Sequence, residues 1–289
     1  MPYYNFGEIV RRKREELGLS QEDLAQGICS SGTLSRIENG SQIPTRNHFE
    51  RLNQRLCIPM DISLLATTSE VLSYIRVKNE IKRLLYQGNL NEIRTIWPRF
   101  LELSKQFAED TDDRQFIEIV DTVINREKYT NEERKQRYIK ALKYTCPNYT
   151  EDAIPTVLST DEAIGIIGIS ICEFDNEGDS QEGAIWNITK LQQHYENDVF
   201  DFESTAGLRF LIATTLSKFY LSAKAYDLCL EISNKYLRIA KENGYCGNMF
   251  NLMKIQSSAY YKRRSPGDRE RNIELYGQIV HLSKIMRTD

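Results

Sequence analysis

From Ser69 onward the apolar residues keep a 3.6-residue period almost throughout, broken at Gly88, near Thr130, at Gly178, near Ser222 and at Pro266-Gly267. The spacings between these breaks are 42, 48, 44 and 44 residues. A helix flanks every break, and no segment carries a convincing strand alternation. A near-constant period of this size with a helix on each side of the break is the signature of a helical-hairpin solenoid. It exceeds the strict tetratricopeptide length, so helices or loops must be extended. The segment LLYQGNLNEIRTIW (84–97) shows the pattern best, with Gly88 at the turn and Leu90, Ile93 and Trp97 on one face. YLSAKAYDLCLEI (220–232) repeats it, and Asn272–Met286 can close the stack as a capping helix.

The first 66 residues follow another plan. An apolar stripe (Phe6, Ile9, Val10, Leu17) predicts a first helix over Asn5–Leu17, ended by Gly18. Ser20 is an N-cap with Asp23 three residues on, Gly27–Ser30 forms a turn, and Ser30 or Ser31 caps a third helix that stops at Asn39-Gly40. Pro44-Thr45 opens a fourth, with Phe49, Leu52 and Leu56 at helical spacing, and a short fifth is expected at about Asp61–Leu65. The reading is all-α: a five-helix helix-turn-helix unit over 1–66, then a tetratricopeptide-like solenoid over 69–289.

In a helix-turn-helix, the second helix of the motif lies in the major groove and its first turn and a half meets bases. Those positions are Ser31, Gly32, Thr33 and Arg36. Arg36 can donate two hydrogen bonds to guanine O6 and N7. Gln21, at the start of the preceding helix, is expected at a phosphate, as is Arg46 beyond the next turn. Arg14 and Glu38 are expected to form a salt bridge between the first and third helices. Arg11 and Arg12 read as solvated, because four consecutive basic residues spread around a whole helix.

Net charge is −3, but residues 1–60 carry +1 and the remainder −4. A locally basic unit on an acidic body fits a protein in which one part meets phosphate. Six scattered cysteines and three histidines offer neither a metal-ligand spacing nor a disulfide framework, and core packing is the ordinary role for most of these cysteines. No catalytic motif of the phosphate-loop, nucleophile-elbow or zinc-protease kind is present, so neither enzyme activity nor a cofactor is expected. The longest apolar run, Ile164–Ile171, is far too short to span a bilayer, and cytoplasmic location is the expectation.

The segment GLSQEDLAQGICSSGTLSRIENG (18–40) resembles the phage-repressor (XRE) type of helix-turn-helix. Together with the helical repeats behind it, the chain resembles the peptide-responsive transcription regulators of the Rgg, PlcR, NprR and PrgX group. That resemblance implies a homodimer reading a palindromic operator in double-stranded DNA, and a concave repeat surface that binds a short signalling peptide, as in quorum sensing by peptide pheromones. Members of the group often hold the peptide backbone with Asn side chains on inner helices. At comparable positions this chain has Gly168, Cys172, Leu211 and Thr215, none of them Asn. These four read equally as ordinary core positions. A peptide-independent regulator whose repeats serve dimerisation or a protein partner is the alternative reading.

Overall fold

The computed structural model describes residues 6–58, 69–105, 110–150, 154–155, 158–176, 180–197 and 200–285. Four helices form the N-terminal unit: α1 (Phe6–Glu16), α2 (Gln21–Ala25), α3 (Ser31–Glu38) and α4 (Arg46–Leu56). The fifth helix expected near Asp61–Leu65 lies outside the described residues. Val10, Leu24, Leu34, Ile37, Leu52 and Leu56 are at most 1% exposed and make this unit a core of its own. Its helix starts follow the local chemistry of the chain. Ser20 accepts from the Asp23 amide and Asp23 reaches back to the Ser20 amide, a reciprocal capping box; Ser30 and Thr45 cap α3 and α4 through single side-chain bonds.

Among the described residues ten α-helices follow as five hairpins: α5 (Ser69–Gln87) with α6 (Leu90–Ser104), α7 (Thr111–Ile124) with α8 (Asn131–Thr145), α9 (Thr160–Phe174) with α10 (Ser180–Tyr195), α11 (Phe202–Ser222) with α12 (Tyr226–Glu242), and α13 (Met249–Arg263) with α14 (Asp268–Ile285). No strand occurs among the described residues. The breaks read from the sequence are the turns inside these hairpins, so their period is the hairpin repeat. Gly88 and Gly267 both adopt a positive φ there, and Thr130 caps α8 with a capping box to Glu133. Gly178 lies outside the described residues. The last helix is longer than the Asn272–Met286 expectation, beginning at Asp268, and it is the partner of α13 rather than a separate cap.

The first helices of successive hairpins pack side by side, α7 on α9, α9 on α11 and α11 on α13, and α5 also packs on α11. They form the inner layer of the stack. Buried ion pairs tie that layer together: Lys78 to Asp113 at 2.5 Å and Lys82 to Asp161 at 2.7 Å. The apolar run in α9 is buried from Ala163 to Ser170. Gly168 lets α8 approach α9, since a Cβ there would stand 2.6 Å from the Tyr138 ring. No described helix is long and apolar enough to cross a membrane.

The N-terminal unit is docked on the repeats through charged side chains, two of them bases from the +1 balance of residues 1–60. Arg51 on α4 pairs with Asp112 on α7 at 2.8 Å, and Arg55 with Glu162 on α9 at 3.0 Å. Gly27, in the turn between α2 and α3, combines a φ of +72° with a close approach: a Cβ there would sit 1.9 Å from the Thr145 carbonyl oxygen. The space at this junction lined by Arg51, Arg55, Asp112 and Glu162 is about 10 Å³, barely one water.

Burial pushes the Asp112 carboxyl up to about 7, against the opposing pull of Arg51 and Lys78. A carboxyl raised in the folded chain holds a proton that the unfolded chain has released by about pH 4. Between about pH 4 and 7 the folded state therefore binds more protons, and stability contributed at this site falls as pH rises. In urea titrations, the wild type is expected to lose more unfolding free energy than Asp112→Asn between about pH 5.5 and 7.5. Equal losses would show that Asp112 is ionised throughout.

Candidate nucleic-acid interface and repeat cleft

Helix α3 is anchored from beneath by a buried charge cluster. Arg14 donates through Nε and Nη2 to the two Glu38 carboxylate oxygens at 2.7 and 3.0 Å, and through Nη1 to the Leu19 carbonyl at 2.8 Å. The Gln21 amide nitrogen donates to Glu38 Oε2 at 2.7 Å. Arg14, Gln21 and Glu38 thus join α1, α2 and α3 in one network. Gln21 was expected at a phosphate; its amide nitrogen instead faces inward onto Glu38, because the α2 start lies over the end of α3.

The opposite face of α3 is polar and open. Ser30 and Thr33 hydroxyls lie 2.9 Å apart, Arg36 Nη2 donates to Thr33 Oγ1 at 3.3 Å, and Arg36 Nε donates to Gln42 Oε1 at 2.9 Å. Arg36 and Gly32 are exposed, and Ser31 and Thr33 half-exposed. The guanidinium is thus held extended along the helix face, with Nη1 and part of Nη2 open to a partner. Such a side chain loses less rotamer freedom on binding than a free one. Gln42 was not singled out from the sequence. It lies past the Asn39-Gly40 stop, and only the path of the loop brings it back, with Ser41 and Gln42 amides both donating to the Arg36 carbonyl. Ile43 follows at 89% exposure. Arg46 begins α4, but its side chain lies outside the described residues. Arg11 and Arg12 are exposed and pair with Glu15 at 2.9 Å and Glu16 at 3.7 Å along α1.

In the repeats, a cleft of about 240 Å³ opens between the α5–α6 turn, the end of α7, α8, α9 and α11. Its apolar wall includes Leu85, Val123, Ile164, Ile167 and Ile171, and Gly168 and Leu211 also line it. Cys172 and Thr215 do not. Cys172 is 1% exposed, and the half-buried face expected one turn beyond Gly168 is covered by packing. The Thr215 hydroxyl donates to the Leu211 carbonyl at 2.9 Å and is satisfied within its own helix. Three cations also face the cleft, Arg126, Arg134 and Lys218. They were not picked out from the sequence, where they lie on three different helical segments.

Burial pushes the Cys57 and Cys146 thiols up to about 12, so both stay protonated at neutral pH, as packing residues do. No cluster of metal-ligating side chains occurs among the described residues.

Residues 10–61 match the helix-turn-helix family model. No curated protein sequence matches the chain. Among solved structures, the fold is similar to that of PlcR from Bacillus thuringiensis, solved with the peptide PapR7 and DNA, at 16% identity over 98% of this chain and 95% of that one, with a TM-score of 0.60. It is similar to the competence regulator ComR from Streptococcus vestibularis in its apo form (14% identity, 97% and 92% covered, TM-score 0.52). It is also similar to ComR from S. thermophilus in complex with DNA and its signalling peptide ComS (13% identity, 98% and 94% covered, TM-score 0.54). At these identities the likeness is one of fold, and it extends over both the N-terminal unit and the repeats.

Proposed function

We propose that this chain is a cytoplasmic, homodimeric transcription regulator that reads a palindromic operator with α3 and is controlled by a short signalling peptide held in the repeat cleft. The division into a DNA-binding domain (1–66) and a domain for dimerisation and effector binding (69–289) is part of the proposal. The observation that carries it is the two-sided construction of α3. Its inner face is locked by the Arg14–Glu38–Gln21 network, and its outer face presents Ser31, Thr33 and an aligned Arg36. Rigidly held side chains on an exposed helix are what base-edge recognition in a major groove requires.

The repeats support the second half. Their inner helices enclose an apolar cleft with a few polar groups, the usual make-up of a site for an extended peptide. PlcR and ComR, which share the fold, were solved with peptide and DNA. A dimer is supported by the last hairpin, where Tyr261, Ile273 and Tyr276 are each more than 60% exposed. Two reading units about one helical turn apart would also add the base contacts that one small unit lacks.

The test begins with selection of bound duplexes from a random DNA pool on the full chain. A two-fold-related consensus is expected. Arg36→Ala should then weaken consensus binding by roughly 1–3 kcal/mol and relax selectivity at one base position per half-site. Equal weakening on every duplex would place Arg36 on phosphate, and absence of any consensus would overturn the reading of α3.

A further inference from the structure

The repeat cleft is apolar over most of its wall but cationic at one side, where Arg126 at the end of α7, Arg134 on α8 and Lys218 on α11 converge. The acids near them leave this charge largely uncompensated. Glu127 lies 3.5 Å from Arg126, yet the same carboxylate accepts two bonds from Arg94 at 3.1 and 3.2 Å. Arg134 stands 3.8 Å from Asp175, an exposed carboxylate whose pairing is correspondingly weak, and its Nη2 donates to the neutral Asn131 side-chain carbonyl. Arg134 Nε is buried without a hydrogen-bond partner. Lys218 has no ion pair among the described residues; its ammonium is held below the usual lysine range by burial and then by the like charge of Arg126. Three cations brought to one apolar cleft, one of them with an unused buried donor, repel one another until an anion arrives.

We propose that Arg126, Arg134 and Lys218 form a carboxylate-binding pole, and that the cleft takes the carboxylate-bearing end of an otherwise apolar peptide. This rests on the reading of the cleft as a peptide site. The cleft volume of about 240 Å³ falls below that of a site enclosing a whole drug-sized ligand, so it suits the end of an extended chain with the rest lying along the inner helices. An arginine donates two parallel bonds to a carboxylate, and Lys218 adds a point charge from the facing helix. The apolar residues beside the pole shield the mostly buried Arg134 guanidinium, which strengthens a pair formed there. The carboxylate can come from the peptide C-terminus or from an acidic side chain, and the two sources are separable.

The experiment is affinity selection on the full chain with three sets of synthetic heptapeptides rich in Leu, Ile, Val and Phe, read by mass spectrometry. One set has a free C-terminal acid, one a C-terminal amide, and one a C-terminal amide with a single Glu. Retention of the first or third set at least tenfold over the plain amides is expected, and which set is retained identifies the source. Lys218→Met and Arg126→Met should each abolish most of that preference. Lys218 has no ion pair among the described residues and Arg126 is exposed, so both variants should keep the wild-type melting temperature, which is checked on the same samples. Equal retention of acid and amide sets by the wild type overturns the carboxylate pole while leaving the peptide site standing. Retention of no peptide in any set overturns both.

Discussion

Glu162→Ala is expected to destabilise the folded protein by about 3–5 kcal/mol, as breaking a buried ion pair from one side does. Glu162 is fully buried, and four donors converge on its carboxylate: Arg55 Nη2 at 3.0 Å, the Thr145 hydroxyl at 2.6 Å, the Cys146 thiol at 3.2 Å and the Ser159 amide at 2.6 Å. Burial alone would raise its pKa, but Arg55 and the hydrogen bonds outweigh it and hold the carboxyl below the usual range, so it is charged at neutral pH. Removing it strands Arg55, 4% exposed, with the Leu24 and Gln26 carbonyls as its remaining partners among the described residues, and removes half of the α9 capping box by freeing the Ser159 amide. Because Arg55 holds the α2–α3 turn to α4 and Glu162 belongs to α9, the loss should appear in two readouts. Urea unfolding reports the lost stability, and hydrogen exchange of the α2–α3 amides reports the undocking. A loss under about 1 kcal/mol would show that water enters the junction and solvates Arg55. Glu162→Gln keeps the shape and part of the bonding, so its loss should be smaller.

The second large effect lies under the reading helix. Arg14→Ala leaves Glu38, only 5% exposed, with a charge that just the Gln21 amide still meets. About 3–5 kcal/mol should again be lost, with Arg14→Lys a poor rescue, because an ammonium cannot span both carboxylate oxygens and reach the Leu19 carbonyl. The consequence is more specific than a lower melting temperature. With α1 no longer tied to α3, operator affinity should fall even at temperatures where the variant remains folded, although Arg14 touches no base. Undiminished affinity in a folded Arg14→Ala variant would show that α3 is placed by its apolar contacts, Leu34 and Ile37, without help from the charge network.

The two predictions differ in how far their residues could be read in advance. Arg14 and Glu38 flank a motif of known geometry, and their pairing follows from where the helix ends must lie. The cap at Ser20 was legible, Ser30 was one of two candidates, and Pro44-Thr45 marked a helix start, because each cap rests on a hydrogen bond from the amide three residues on. Arg51 and Arg55 contribute to the +1 charge of residues 1–60 and prove to be the bolts between the two parts of the chain. Arg55 and Glu162 stand 107 positions apart, and no local pattern relates them. The cleft was harder still. The family resemblance offered Gly168 and Cys172 together on one helix face; Gly168 lines the cleft, but whether the next turn is open or covered depends on the neighbouring helix, and Cys172 is packed away.

What the sequence determined by itself is what short-range chemistry decides: helix starts and stops, the apolar stripes, the turn at Gly27, and a hairpin period that permits only a stack. What the tertiary structure alone decided is which charges face one another. Arg36 is aligned by Gln42 across a loop, Glu162 is neutralised by a residue 107 positions away on α4, and Arg126, Arg134 and Lys218 meet in one cleft from three segments. A helix pattern specifies the face a side chain occupies. Electrostatic partnership depends on distance and on the exclusion of water, and both arise only when the helices pack.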